Sequence, residues 1–357
     1  MFSLTNVIHI IVIFQGSLLS LFILSSDKRK TSSNFILGII IGILSFQILG
    51  LFLENRGIGG GLFYRINAVY GFLYGPFLYF FSKSITRKSF GFKQRDLLHF
   101  FPFFLTVLIV SFSQNFLSPV YLYIFYALHI LSYLSVCLVE VLKYKKAVKD
   151  NYTNLDWLNL DWLQGTFLVF TLIVIADVLQ FSVFILSGDS YDLENIVFLL
   201  ILLAINLLYF KGYMSSDKSP ALKEEDFDLS SSIQSGRKRA KRMDGLQGYI
   251  EKLEQHMKEK ESFRNPHLTI AILAEEIGIS KRNLSELINE HYQQNFVDFI
   301  NTHRIELAKY KLQHPKDPGE TILEVMYEVG FNSKSSFNQA FKKKTGLTPS
   351  QFKNRLK

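Results

Sequence analysis

The sequence predicts an all-α protein in which a seven-helix membrane bundle is followed by a soluble domain built only from helices. Two observations lead to this fold class. Residues 1–212 form a series of apolar stretches, whereas residues 213–357 hold 24 Lys and Arg residues and 20 Asp and Glu residues. In the second part, apolar residues recur at spacings of three and four, as in amphipathic helices. We therefore expect a membrane domain (1–212), a flexible charged linker (213–244) and a cytoplasmic C-terminal domain (245–357).

The apolar stretches have the length of membrane-spanning helices, which need about 20 residues to cross about 30 Å of hydrocarbon. The stretches that meet or approach this length are residues 4–24, 34–53, 69–85, 98–112, 119–142, 163–187 and 194–212. The first is not interpreted as a cleaved signal peptide, because no basic residue precedes it and it is long enough to span. We expect seven crossings.

Basic residues are concentrated in alternate loops. They follow the first, third and fifth stretches, in clusters within Lys28–Lys30, Arg87–Arg95 and Lys143–Lys149. The intervening loops hold only two basic residues, Arg56 and Arg65. Short loops rich in Lys and Arg stay in the cytoplasm. Seven spans therefore place the N-terminus outside and the C-terminal half in the cytoplasm.

Two polar residues lie in the middle of predicted spans, His129 in the fifth and Asp177 in the sixth. Polar groups at this depth are costly and often mark functional sites. They could line a ligand-binding or proton-sensing site that faces the interior of the bundle. Alternatively, they join helix to helix by hydrogen bonds.

The predicted linker is rich in serine and charge and has few apolar residues, which is typical of a flexible tether. Its basic run, Arg237–Arg242, could bind anionic lipid headgroups or DNA phosphates. It could equally be a solvated part of the linker.

The C-terminal domain contains a first helical pair. Leu273 and Ile277 lie on one face of a short helix, Gly278 permits a left-handed turn, and Ser280 is suited to cap a second helix. A polar outer face with a basic start can enter the major groove of DNA. Taken alone, the pattern also fits an ordinary helical hairpin. The predicted outer residues are Lys281, Arg282, Asn283, Ser285, Glu286 and Asn289.

The same pattern recurs in residues 321–353. Gly330 stands at the turn, 52 residues after Gly278, and Asn332 or Ser333 is the expected cap. One long helix between the two pairs would separate the outer helices by about one turn of DNA, roughly 34 Å. The second set of outer residues is Lys334, Ser335, Ser336, Asn338, Gln339 and Lys342.

These motifs carry a resemblance to a known family. Gly330-Phe331, Phe337, Phe341 and Gly346–Ser350 resemble the C-terminal signature of AraC-family transcription regulators. The segments Leu273–Ser280 and Arg304–Ala308 are similar to the family's first unit and linker helix. The resemblance covers residues 266–356. The membrane half resembles, in general pattern, the multi-span sensor regions fused to such domains in Bacteroidota-like bacteria.

The resemblance implies a double helix-turn-helix domain that binds double-stranded promoter DNA and activates or represses transcription, with RNA polymerase as a partner. It implies a multi-pass protein of the bacterial inner membrane. The implied base-reading residues are Lys281, Arg282, Ser285, Glu286, Asn289, Lys334, Ser335, Asn338 and Gln339. Ser280, Asn283, Ser333, Ser336 and Lys342 complete the predicted DNA-contacting set.

One residue departs from the family pattern. Met326 stands where the family usually has a small alanine, the counterpart of Ala274 in the first unit. A larger side chain is expected to alter the crossing of the two helices. The fit of the second unit to the groove therefore depends on how this side chain is accommodated.

Other functions lack their motifs. The sequence has no P-loop, dinucleotide-binding turn or nucleophile elbow, and its single cysteine, Cys137, lies in an apolar stretch. We expect no enzyme activity, cofactor or metal. The leading hypothesis is a one-component regulator whose bilayer-embedded domain senses a small ligand, a lipid or stress.

Two alternatives to this hypothesis stay open. The chain could be a receptor or transporter whose C-terminal helices bind a protein partner, or proteolysis could release the DNA-binding half. The amphipathic segment 246–260 could form a homodimer or dock onto the first unit.

Overall fold

The computed structural model describes residues 4–58, 66–67, 69–112, 119–153, 160–187, 194–214, 221–223, 226–227, 247–317 and 319–355. Over these ranges the chain contains helices and no β-strand, as the predicted fold class requires. The chain folds as two compact units. One unit comprises residues 1–142 and 160–221 and is called the membrane unit here because of its apolar helices; the C-terminal unit comprises residues 143–159 and 222–357.

The helices of the membrane unit follow the apolar stretches closely. Those that the structure describes are α1 (Leu4–Ser25), α2 (Ser32–Glu54), α3 (Gly71–Thr86), α4 (Phe101–Phe112), α5 (Pro119–Asn151), α6 (Asp161–Ser187) and α7 (Glu194–Leu207). A 3₁₀ turn, Gln94–Phe100, precedes α4, and a π-helical turn, Leu208–Tyr213, extends α7. The last residues of α5 belong to the C-terminal unit.

Among the residues described, six segments are long and apolar enough to cross a membrane: α1, α2, α5 and α6 by themselves, α4 together with the 3₁₀ turn before it, and α7 together with the π-helical turn that extends it. The exception is α3, which has 16 residues and so falls short of the length of a full span. The predicted count of seven crossings is therefore not confirmed. Large apolar side chains point out of the unit, such as Phe14 (69% exposed) and Leu186 (87% exposed), which is the surface expected of helices in lipid.

Small residues allow α3 to pack closely against α5. A Cβ atom at Gly71 would lie 2.4 Å from the Tyr126 ring, and one at Gly75 would lie 2.7 Å from the Tyr133 ring. At the basic end of the same helix pair, Arg87 Nε donates to Glu140 Oε1 at 2.5 Å. This contact stabilises α3 against α5 because it pairs two charges where water is scarce.

The C-terminal unit has two apolar cores joined by one helix. Its remaining helices are α8 (Gln247–Glu259), α9 (Ile270–Ile277), α10 (Lys281–His291), α11 (Phe296–Gln313), α12 (Ile322–Glu328), α13 (Lys334–Thr345) and α14 (Pro349–Arg355). The first core lies among α8, α9, α10 and the start of α11, and the second among the end of α11, α12 and α13. Leu307 of α11 packs against both.

The predicted serine caps set the start of both outer helices. Ser280 accepts a hydrogen bond from Asn283 N at 3.2 Å, and Ser333 accepts one from Ser336 N at 3.2 Å. Each hydroxyl satisfies a backbone donor that the first turn of a helix leaves free. Of the two expected caps of the second unit, Ser333 is therefore the one used.

Candidate nucleic-acid interface

The two helical pairs have the same backbone turn. In the first, Ile279 N donates to Ala274 O at 2.9 Å, and in the second, Phe331 N donates to Met326 O at 3.0 Å. Met326 is buried in the second core, so its larger side chain is accommodated while this turn is retained. We refer to residues 270–291 as the first unit and residues 322–345 as the second unit.

The outer face of α10 is polar, as predicted. Leu284, Leu287 and Ile288 are fully buried in the first core. On the opposite face, Arg282 and Asn289 are exposed and the other predicted residues are half-buried, except the exposed cap Ser280. The half-buried residues are Lys281, Asn283, Ser285 and Glu286.

Several polar groups on α10 are already paired. Arg282 Nε lies 3.0 Å from Glu286 Oε1, one helical turn later. The Lys281 ammonium group forms an ion pair with the Asp226 carboxylate. The positive charge at the start of α10 is therefore partly compensated before any DNA arrives. An Arg and a Glu on one face can still read base edges, since Arg donates to guanine and Glu accepts from cytosine.

The outer face of α13 is more open. Phe337 and Phe341 are buried in the second core, whereas Ser333 and Ser336 are half-buried. Among the residues described, no ion pair involves Lys334 or Lys342. Both lysines therefore present uncompensated charge to a polyanion. The exposed predicted residues are Lys334, Ser335, Asn338, Gln339 and Lys342.

A buried arginine connects the segment before α9, which packs in the first core, to the turn of the second unit. Arg304, on α11, is 1% exposed; its Nε donates to Phe263 O at 2.6 Å and its Nη2 donates to Asn265 O at 2.8 Å. Its guanidinium group also lies 5.3 Å from the centre of the Phe331 ring, at the turn of the second unit. Burial lowers the pKa of Arg304 to about 10, which leaves the group charged at neutral pH.

This role of Arg304 was not predicted from the sequence. The residue entered only as part of a family motif. A local signal did exist, because Arg304 falls four residues after Ile300 and four before Ala308, both buried. An arginine on the apolar stripe of a helix needs several acceptors. That position was the indication of a buried structural arginine.

The turn of the second unit packs against the segment that Arg304 binds. Gly330 has a φ of +97°, and a Cβ atom there would lie 2.6 Å from Arg264 O. Gly278, at the same place in the first unit, has a φ of +77°, and a Cβ atom there would have no neighbour within 4 Å. Both turns favour glycine through their backbone conformation, but only the second also needs it for close approach.

The two candidate sensing residues of the membrane unit have different surroundings. Asp177 is half-buried and lines a cavity, described below. His129 packs among aromatic rings, with centroid distances of 5.2 Å to Phe72 and 4.9 Å to Tyr133, and is not among the cavity-lining residues described. The basic run Arg237–Arg242 lies outside the described residues.

The amphipathic segment before the first unit is used within the chain. It forms α8, and its stripe residues Ile250, Leu253 and Met257 are buried in the first core. Of the two interpretations of this stripe, docking onto the first unit is therefore the arrangement observed. The stripe does not offer a free apolar face for a second copy.

Comparisons with known proteins concern the C-terminal part of the chain. Residues 273–355 match a family model described as a helix-turn-helix domain. The chain is similar to a protein of Staphylococcus aureus described as an uncharacterised HTH-type transcriptional regulator, with 37% identity over 86 residues, which are 24% of this chain and 11% of that protein. A histidine kinase P4 of Formosa agariphila is 29% identical over 96 residues, 27% of this chain and 7% of that protein.

The chain thus spans about a tenth or less of the length of these curated relatives. A solved structure, the C-terminal domain of AraT, a response regulator from Geobacillus stearothermophilus, is 26% identical and covers 30% of this chain and 84% of that chain. Its TM-score of 0.26 is too low to support a structural conclusion. The family match assigns a helix-turn-helix domain to residues 273–355.

Proposed function

We propose that this chain is a membrane-embedded transcription regulator that binds specific promoter DNA through its C-terminal unit and responds to a signal sensed in or across the membrane. The observation that carries the proposal is repetition. Two units share one backbone turn, one type of serine cap and a polar outer helix face, within the residues that match the helix-turn-helix model. An ordinary helical hairpin has no reason to repeat these features.

Both outer helices carry base-reading groups, and the exposed lysines that bind phosphate lie on α13. Arg282, Glu286 and Asn289 on α10, and Asn338 and Gln339 on α13, carry groups that can read base edges. Exposed Lys334 and Lys342, together with the backbone N–H groups at the two serine caps, bind phosphates and set the register. Base contacts supply specificity and phosphate contacts supply most of the salt-dependent affinity.

The proposed location is the inner membrane of a bacterium, with the C-terminal unit in the cytoplasm, where the DNA is. The apolar surface of the long helices supports embedding in lipid. If all seven helices cross the membrane, the basic clusters near Lys28, Arg87 and Lys143 lie on the cytoplasmic side, which supports the orientation. In this arrangement RNA polymerase and the promoter reach the regulator at the membrane.

The test uses the full-length protein in lipid nanodiscs. The protein is mixed with a library of genomic fragments, bound fragments are sequenced, and affinity for the enriched sequence is measured between low and high salt. We expect one enriched motif and a steep fall in affinity with salt. The double variant Asn338→Ala, Gln339→Ala should lose the motif, whereas the control Lys252→Ala, on α8, should keep it. Enrichment of no sequence at low salt would refute the proposal.

A further inference from the structure

The membrane unit contains an open cavity of about 550 Å³, lined by residues of α2, α3, α5, α6 and α7. This volume is within the range of about 300–1,000 Å³ that is typical of small-molecule sites. Its walls are mainly aliphatic and aromatic, and a few polar groups converge on it. These groups are Gln47, Tyr74, Tyr123, Tyr126, Asp177 and Gln180.

Asp177 is the acidic group among the described residues that line the cavity, and no Lys, Arg or His is among them. No hydrogen bond or ion pair joins its carboxyl group to another described residue. By contrast, the Tyr74 hydroxyl group hydrogen-bonds to the Gln47 side chain. A carboxyl group in an apolar setting is costly unless a complementary group satisfies it. The cavity therefore has the electrostatic character of a site for a cation.

Aromatic rings form part of the wall beside this carboxyl group. Tyr123 stacks on Phe181 with ring centroids 4.2 Å apart, and it contacts Tyr126 edge to face at 5.9 Å. The faces of such rings attract ammonium groups and pack well against apolar bodies. A ligand that combines a positive group with an apolar body would satisfy both kinds of wall.

The polar lining lies toward one end of the helices. Tyr74 and Tyr123 are near the start of α3 and α5, whereas Gln47 and Asp177 are in the second halves of α2 and α6. All four positions are distant from the basic loops. In the orientation proposed above, they belong to the outer half of the membrane. A ligand could therefore enter from outside or from the outer leaflet.

We propose that this cavity binds a small amphiphilic molecule whose ammonium group pairs with Asp177 and whose apolar body packs against the tyrosine-lined wall. The role of this molecule as the signal rests on the proposed function, but its binding does not. Binding and DNA recognition can therefore fail separately. An ammonium group could come from a free amine or from the headgroup of phosphatidylethanolamine.

The test is isothermal titration of the full-length protein in dodecyl maltoside, an uncharged detergent. The probes are 4-phenylbutylamine, the neutral 4-phenylbutanol and the anionic 4-phenylbutyrate, which share one apolar body. We expect the amine to bind about tenfold more tightly than the alcohol, because it forms a charge-assisted hydrogen bond. The anionic 4-phenylbutyrate should bind most weakly. Equal affinities for amine and alcohol would overturn the proposal without any variant.

Two matched variants locate the site. Asp177→Asn should reduce the affinity for the amine to that for the alcohol, whereas Asp161→Asn, at the start of the same helix, should preserve the preference. A preference that survives in Asp177→Asn would exclude this cavity. Adding phosphatidylethanolamine to the micelles should weaken amine binding if the lipid headgroup competes for Asp177, and phosphatidylglycerol should not. An unchanged affinity in both lipids identifies a free amine as the ligand source.

A second inference comes from a contact at the start of α10. Asp226 is buried, and its carboxylate pairs with the ammonium group of Lys281, the first residue of that helix. Asn151, the last residue of α5, donates its Nδ2–H to Asp226 O at 3.3 Å. Both contacts lie within the C-terminal unit. We infer that Asp226 occupies the place of a DNA phosphate and holds the first unit in a state of low DNA affinity.

This inference also rests on the proposed function, and its test starts from wild-type protein that already binds the enriched DNA. Asp226→Asn should raise the affinity about two- to fivefold, because it frees Lys281 and removes one repulsive charge. Glu251→Gln removes the same charge from α8 and should leave the affinity unchanged. An unchanged or weaker affinity in Asp226→Asn, or an equal gain in both variants, would overturn the inference. Matching unfolding temperatures show that both variants fold.

Discussion

The first and second units share a pattern but differ in their surroundings. The first unit has an open turn at Gly278, and the charges at the start of its outer helix, on Lys281 and Arg282, are paired with acids. The second has a turn at Gly330 packed against the Arg264 backbone and an outer helix with exposed lysines. We therefore propose that the first unit is the one open to regulation and that the second unit anchors the domain on DNA. Tertiary contacts make the difference.

The largest effect is expected from removing Arg304, which connects the first core to the turn of the second unit. Arg304→Met should destabilise the C-terminal unit by about 3–5 kcal/mol, because Phe263 O and Asn265 O lose their donor in a buried site. Hydrogen exchange in the full-length protein should increase in α9 and α12 together. Glu306→Gln, two residues away on the exposed face of α11, is the control and should change little. Loosening of one unit alone would contradict a joining role.

Substitution of the turn glycines should destabilise the two units to different extents. Gly330→Ala should cost about 3 kcal/mol, because it combines strain at positive φ with a clash against backbone. Gly278→Ala should cost about 1 kcal/mol, from backbone conformation alone. Urea unfolding of the full-length variants, followed by hydrogen exchange of α9 and α12, gives both values. Equal costs would mean that the packing at Gly330 is unimportant.

Charge removal should affect DNA binding unequally. Lys334→Ala should reduce the slope of log affinity against log salt by about one, because an uncompensated phosphate contact is lost. Arg282→Ala should reduce it less, since Glu286 already compensates that arginine. Fluorescence anisotropy with the enriched DNA measures both slopes. A larger change for Arg282→Ala would reverse the assignment of the anchoring unit.

Acid should weaken the first unit before the second. Burial against Phe263 and Phe299 lowers the pKa of His303 below its ordinary value of 6.5. The unfolded state then binds more protons, so stability is full above pH 6.5 and falls as the pH drops below it. His303→Gln should remove this early loss. Hydrogen exchange in the first core, corrected for its intrinsic pH dependence, measures this loss of stability. An unchanged stability between about pH 7 and about pH 5 would contradict the prediction.

The second unit should keep its stability down to a more acidic pH than the first unit does. Hydrogen bonds from the Thr321 backbone and hydroxyl group hold the pKa of Glu324 below its ordinary value of 4.5, and a hydrogen bond from Lys311 does the same for Glu328. These groups contribute stability that is present above pH 4.5 and lost as the pH falls through their folded pKa values. Exchange from α12 should therefore rise only below that pH. An earlier rise would contradict the ordering.

Local features were the predictable part of this molecule. Gly278, Gly330 and Ser280 act through their own backbone neighbourhood, so sequence spacing was enough to locate both turns and the first cap, and it limited the second cap to Asn332 or Ser333. The apolar stretches predicted the helices of the membrane unit for the same reason. The end of α5 shows the limit: the apolar stretch ends at residue 142, whereas the helix continues to Asn151, because composition does not say where a helix ends.

Roles that depend on distant segments were not predictable. Arg304 binds carbonyl groups about forty residues earlier in the chain, and Lys281 pairs with Asp226, which lies in the predicted flexible charged linker. Asp177 was identified from its depth in a span, but the cavity around it is formed by five helices. Hydrophobic periodicity identifies the buried face of a helix and not its neighbours.

The most direct test of the central claim is a hydroxyl-radical footprint of the full-length protein in nanodiscs on its enriched DNA. Two outer helices joined by α11 should protect two segments, with centres about 10 base pairs apart on one face of the duplex. Lys334→Ala should weaken the footprint without moving it. A single protected segment, or no protection at low salt, would contradict a membrane-embedded regulator that binds DNA with both units.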